Sequence, residues 1–148
     1  MKYLLTCTAA LLLLLQATPP VLAQGAGSEW DILLQEAMEL HRTGKYDRGV
    51  VVARKALEVA EKNVGPNHPA VATSLNNLAG LYSTQGHYAQ AEPLYKRALA
   101  IAEEALGPGH PLVATTLNNL AALYRATNRD KEAETLEKRA ARIRAIQR

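Results

Sequence analysis

From residue 30 onward, apolar side chains recur every three or four positions, and the pattern breaks at regular intervals. Leu75, Leu78, Ala79 and Tyr82 keep the spacing of one helix face, and Leu117, Leu120, Ala121 and Tyr124 keep it again. A second run, Tyr88, Ala91, Tyr95, Ala98 and Ala102, begins just after Gln85-Gly86-His87, where glycine can supply the positive φ of a tight turn. Thr43-Gly44-Lys45 marks the same turn upstream. Gly65-Pro66 and Gly107-Pro108 end the second helices, while Pro69 and Pro111 suit the first turn of the helices that follow. Pro93 falls inside a second helix, close enough to its start to bend it rather than break it. The pattern predicts an all-α chain of helix-turn-helix pairs.

Those pairs are copies of one unit. Displaced by 42 residues, the segment 67–106 matches 109–148 at 19 of 40 positions, and 25–66 matches 67–108 at a fainter 10. Three repeats follow, at about 30–66, 67–108 and 109–148, the first one diverged. In it, Glu36 stands where Leu78 and Leu120 stand, and Gly49 where Ala91 stands. The third repeat has Asn128 in place of the turn glycine, a residue that still tolerates the left-handed conformation.

Repeat two carries the small residues Ala79, Gly86, Ala91 and Ala98 together with the segments "GPNHPAVATSLNNLAGLY" and "AEPLYKRALAIAEEALG", at a 42-residue period. With these, the chain from Trp30 to the C-terminus resembles tetratricopeptide repeat proteins of the kinesin light chain type. The resemblance implies an α-solenoid of six antiparallel helices. It also implies a concave face, lined by the first helix of each repeat, that binds protein segments.

On a wheel of about 100° per residue, Ala72, Leu75, Leu78, Ala79 and Tyr82 form a core stripe. Thr73, Asn76, Asn77, Gly80, Ser83 and Thr84 fall on the opposite arc, as do Thr115, Asn118, Asn119, Ala122, Arg125 and Ala126 in the next repeat. Asparagine carries one acceptor and two donors, so it can hold a peptide backbone in either direction. Stacking is expected to bring Asn76 near Asn118 and Asn77 near Asn119 as a polar ladder. The alternative is that repetition copied the template, leaving these amides solvated or bonded to neighbouring helices. In repeat one the same arc reads Asp31, Leu34, Gln35, Met38, His41 and Arg42. Leu34 and Met38 either anchor an apolar ligand side chain or lie under the segment Gly25–Glu29 folded back over them. Arg42 and Arg125 add positive charge, which favours a weakly acidic or apolar-plus-acidic peptide as partner.

The N-terminus reads differently. Lys2, the apolar run Leu4 to Leu15 and Val21-Leu22-Ala23 have the layout of a secretory signal peptide cut after Ala23. The run is short of the roughly 20 residues that span a bilayer, and Thr18-Pro19-Pro20 interrupts it. A short flexible segment, 24–29, would precede the repeats. Cys7, the only cysteine, lies in this leader and is poorly placed for lipidation, so the mature chain has no disulfide and no thiolate. A disulfide-free exported chain points to a bacterial periplasm, otherwise to secretion.

Charge and chemistry narrow the function further. The net charge of +3 falls by one with Lys2 to +2, too little for a general nucleic-acid binder. His68 and His110 recur in His-Pro linkers with no second ligand at metal-binding spacing, and no metal or cofactor is expected. His41 and His87 have no nucleophile or acid in register, and Ser74 and Ser83 have no base nearby. Glu103-Glu104 and Glu132/Glu134 are surface charges. The basic C-terminal stretch "KRAARIRAIQR" reads as a solvated cap on the last repeat; docking to an anionic membrane is the weaker reading. The expectation is a non-enzymatic scaffold of the cell envelope, holding an extended or helical segment in its concave groove. The alternative is a structural subunit that self-associates end to end through its terminal hairpins.

Overall fold

The computed structural model describes residues 28–147; the expected leader at 1–23 and most of the 24–29 segment lie outside them. Six helices follow one another: α1 (Glu29–Arg42), α2 (Tyr46–Val64), α3 (Pro69–Thr84), α4 (Tyr88–Leu106), α5 (Pro111–Ala126) and α6 (Asp130–Ile146). They form three antiparallel hairpins, and the second helix of each hairpin packs on the first helix of the next.

Local chemistry fixes the ends of each helix. Ser28 opens α1 with a capping box: its hydroxyl accepts from Asp31 N–H and the Asp31 carboxylate accepts from Ser28 N–H. The His-Pro pairs open α3 and α5. Nδ1 of His68 and of His110 accepts from the backbone N–H two residues on, at 3.1 Å in both, and the proline takes the first helical position. Those histidines are therefore caps, which explains their recurrence in the linkers. The hairpin turns place Gly44, Gly86 and Asn128 at φ of +74°, +79° and +60°, where asparagine substitutes at modest cost. α4 runs unbroken through Pro93.

The core forms two clusters along the helices. One, towards the hairpin turns, gathers Ala37, Ala53, Leu78, Tyr82, Ala91 and Tyr95 with Leu120, Tyr124 and Ala133 of repeat three. The other, towards the linkers, gathers Ala60, Val71, Leu75, Ala98, Ile101, Val113 and Leu117. The core stripe read from the sequence is buried throughout, but it is broader than one arc. Val71, Ser74 and Leu81 of α3, like Val113, Thr116 and Leu123 of α5, are also buried, because an inner hairpin packs on its predecessor as well as on its own second helix. The buried serine and threonine hydroxyls are satisfied: Ser74 donates to Ala70 O at 3.0 Å and accepts from Trp30 Nε1 at 2.7 Å, and Thr116 donates to Leu112 O at 2.9 Å. Ion pairs join neighbouring second helices at the same 42-residue offset, Arg97 to Glu61 at 2.7 Å and Arg139 to Glu103 at 2.5 Å.

Candidate functional site

The first helices α1, α3 and α5 enclose a groove of about 540 Å³. All six residues assigned to the polar arc of α3 line it: Thr73, Asn76, Asn77, Gly80, Ser83 and Thr84. Repeat one contributes Leu34, Met38 and His41, and repeat three contributes Thr115, Asn119 and Ala122. Gln35, Arg42, Asn118, Arg125 and Ala126 lie outside it. Two lining residues were not legible as groove residues in the sequence, Leu112 from the first turn of α5 and Tyr95 from α4. Tyr95 stands in the core run of a second helix, so periodicity alone assigns it entirely to the interior.

The asparagines do meet, in a different register from the expected like-with-like ladder. Asn119 Nδ2 donates to Asn76 Oδ1 at 3.2 Å, so the first asparagine of one pair faces the second of the next. One residue is about 100° of helix rotation, so α3 and α5 present faces turned relative to each other, as stacking with a superhelical rotation requires. Asn77 Nδ2 donates to Thr73 O of its own helix at 2.9 Å, and Asn118 is half-buried with no hydrogen bond among the described residues. Asn76 is 8 % exposed, pressed against its neighbour at the floor of the groove rather than standing free.

His41 bridges the first two repeats. Thr84 Oγ1 gives its proton to Gly80 O at 2.9 Å, so at 2.8 Å it accepts from His41 Nε2–H. Met38 is 53 % exposed and, with the half-buried Leu34, gives the α1 end of the groove an apolar wall.

No Asp, Glu, Lys or Arg lines the groove. Arg42 is held by the Glu39 carboxylate in a two-pronged bond at 2.6 and 2.8 Å, and Arg125 by Glu137 at 2.7 and 2.8 Å. Hydrogen bonds from Arg42 and Arg125 hold Glu39 and Glu137 below the usual carboxylate range. Both arginines are thus paired with a nearby glutamate in an exposed ion pair. Farther round the surface, Lys96 and Arg129 hold Glu92 below that range, with Arg129 stacked 3.8 Å from the Tyr124 ring centroid.

The faces at the two ends differ from the inner ones. Exposed Glu36 and Glu39 occupy the positions of buried Leu78 and Leu81 in α3. At the other end, half-buried Glu137 and exposed Arg144 occupy the positions of buried Tyr95 and Ala102 in α4. Among the described residues, no helix is long and apolar enough to cross a membrane.

Known proteins share this architecture. The family profile described as Tetratricopeptide repeat matches residues 32–104 and 85–145. Nephrocystin-3 of Xenopus laevis is 46% identical over 52 residues, 35% of this chain, and nephrocystin-3 of Mus musculus is 49% identical over the same length. The chain spans only 4% of the length of these relatives. Among solved structures, a kinesin light chain with nearly identical TPR-like repeats from Podosopora anserina superposes with a TM-score of 0.71 at 23% identity. That match covers 78% of this chain and 55% of the other. BtubC (BKLC) from P. vanneervenii superposes with a TM-score of 0.56 at 23% identity over 80% of this chain and 64% of the other. At that identity the structural likeness speaks for the fold alone.

Proposed function

Because the chain belongs to the tetratricopeptide repeat family, whose members are in general protein-interaction scaffolds, we propose that it binds a protein segment, extended or helical, in the groove of α1, α3 and α5. One observation carries this reading: the polar arcs of three separate helices converge on a single groove whose lining is amide, hydroxyl and apolar, with no ionised side chain. Burying a carboxylate there would go uncompensated, since neither Arg42 nor Arg125 lines the groove. The segment that enters is therefore uncharged, rather than acidic, where it meets the floor. The activity is binding without catalysis.

The end faces argue against end-to-end self-association, because glutamates and an arginine stand where inner repeats pack leucine, tyrosine and alanine. Export to a cell envelope, such as a bacterial periplasm, is proposed with this function on the leader-like stretch at 1–23 and the absence of cysteine after Cys7; a mature N-terminus at Gln24 in the envelope fraction checks it.

The groove is tested by a photo-crosslinking amino acid placed at Thr115, inside it, or at exposed Ala100 on α4, outside it. A partner captured from Thr115 alone supports the assignment, and capture from Ala100 alone refutes it. Asn76→Ala combined with Asn119→Ala removes both ends of one hydrogen bond and leaves no orphaned group. Stability should therefore change by less than about 1 kcal/mol, while affinity for the captured segment falls about 3- to 10-fold. Unchanged affinity would refute the groove as the binding site.

A further inference from the structure

Two features of the groove floor go beyond what packing requires. Gly80 lies inside α3, where glycine is destabilising relative to alanine. A Cβ built there meets Tyr95 Oη at 3.6 Å and His41 Cε1 at 3.9 Å, both ordinary contacts. Gly49 is the contrast: a Cβ there meets Leu81 Cδ2 at 2.8 Å, so close packing demands it. The second feature is Tyr95, 3 % exposed, whose hydroxyl has no hydrogen-bond partner among the described residues and lines the groove beside Gly80. Its oxygen opens onto the groove rather than being sealed in the core, so its proton is available to a bound group. Desolvation pushes its pKa up to about 12, so it stays a neutral donor across the physiological range. The features go together: repeat three has Ala122 in place of Gly80 and Glu137 in place of Tyr95.

Resting on the groove as a partner site, we infer that Gly80 is a window through which the Tyr95 hydroxyl reads a carboxamide side chain, Asn or Gln, of the bound segment. With no side chain at Gly80, the Tyr95 hydroxyl is open to a carbonyl approaching from the groove between Tyr95 and His41. Tyr95 donates to that carbonyl. A carboxylate in the same place would find no cation lining the groove, and an aliphatic side chain would leave the hydroxyl unpaired.

The probe is a random dodecapeptide library displayed on phage and selected against the full chain, with the selected peptides then titrated calorimetrically. Peptides held by the groove should share Asn or Gln at one position. Tyr95→Phe should weaken them about 3- to 10-fold, and the loss should vanish when the peptide's Asn or Gln is replaced by Leu. Gly80→Ala should weaken them too, while raising the melting temperature by about 3–5 °C as helix propensity improves. Equal affinity for wild type and Tyr95→Phe overturns the inference, and so does a lower melting temperature for Gly80→Ala, which needs no peptide to measure. Peptides that bind but keep full affinity on Asn76→Ala with Asn119→Ala, or an empty selection, refute the groove itself and the inference with it.

Discussion

Gly49→Ala sets two contributions of opposite sign against each other at one position. Alanine is favoured over glycine in a helix interior by about 1 kcal/mol, so propensity alone predicts a more stable protein. The new Cβ, however, falls 2.8 Å from Leu81 Cδ2 and 3.5 Å from Leu40 Cβ. Leu81 is 1 % exposed, so its methyl cannot swing into solvent and must displace a packed neighbour. Overpacking of this kind costs about 1–3 kcal/mol. The expected net effect is destabilisation by about 1 kcal/mol, or roughly 3–5 °C in melting temperature. Leu81→Ala alone should cost about 2–5 kcal/mol. In that background the clash is gone, so adding Gly49→Ala should stabilise by up to about 1 kcal/mol, a coupling of about 2 kcal/mol. Urea unfolding followed by fluorescence of Trp30, the only tryptophan, reads all four corners of the cycle. Stabilisation by Gly49→Ala in the wild-type background would refute the claim that the α2–α3 approach requires glycine.

Other predictions follow from the charged surface. Glu92 is held low by Lys96 and Arg129, so its contribution is complete above the unfolded carboxylate value near pH 4.5 and is lost as pH falls through the lowered folded value. The urea midpoint should drop between about pH 5 and pH 3, and Glu92→Gln should flatten that drop; an unchanged profile would count against the network. The wild-type chain should be monomeric by light scattering at micromolar concentration. Glu36→Leu with Glu39→Leu should convert the α1 end into a face like that of α3 and make the mass concentration-dependent. A wild-type dimer, or a monomeric double variant, would contradict the capping role of those glutamates.

Much of the fold was legible because a repeat prints its constraints more than once. Glycine at the turns, His-Pro at the first-helix starts and the stripe from Leu75 to Tyr82 each recur at one spacing, so chance could be set aside. The polar arc of α3 was legible for the same reason. Other features depend on how hairpins sit against each other, which one repeat does not encode. The burial of Leu81 and Leu123 comes from the preceding hairpin, and the pairing of Asn76 with Asn119 rather than Asn118 comes from the rotation between hairpins. Arg125 looked available because its partner Glu137 stands on the next helix, whereas the Glu39–Arg42 pair at i,i+3 was open to reading in the sequence. Tyr95 was hidden by its own periodicity: a core position can still present one atom to a groove when the residue opposite lacks a side chain.

The most direct measurement is a titration of ¹⁵N-labelled chain with the segment captured by the Thr115 crosslink, following every amide shift. The largest changes should fall on α1, α3 and α5 around Met38, Asn77, Gly80 and Thr115, with α2 and α6 little affected. Changes centred on the outer faces of α2, α4 or α6, with Asn77 and Gly80 unmoved, would contradict a binding groove built from the first helices.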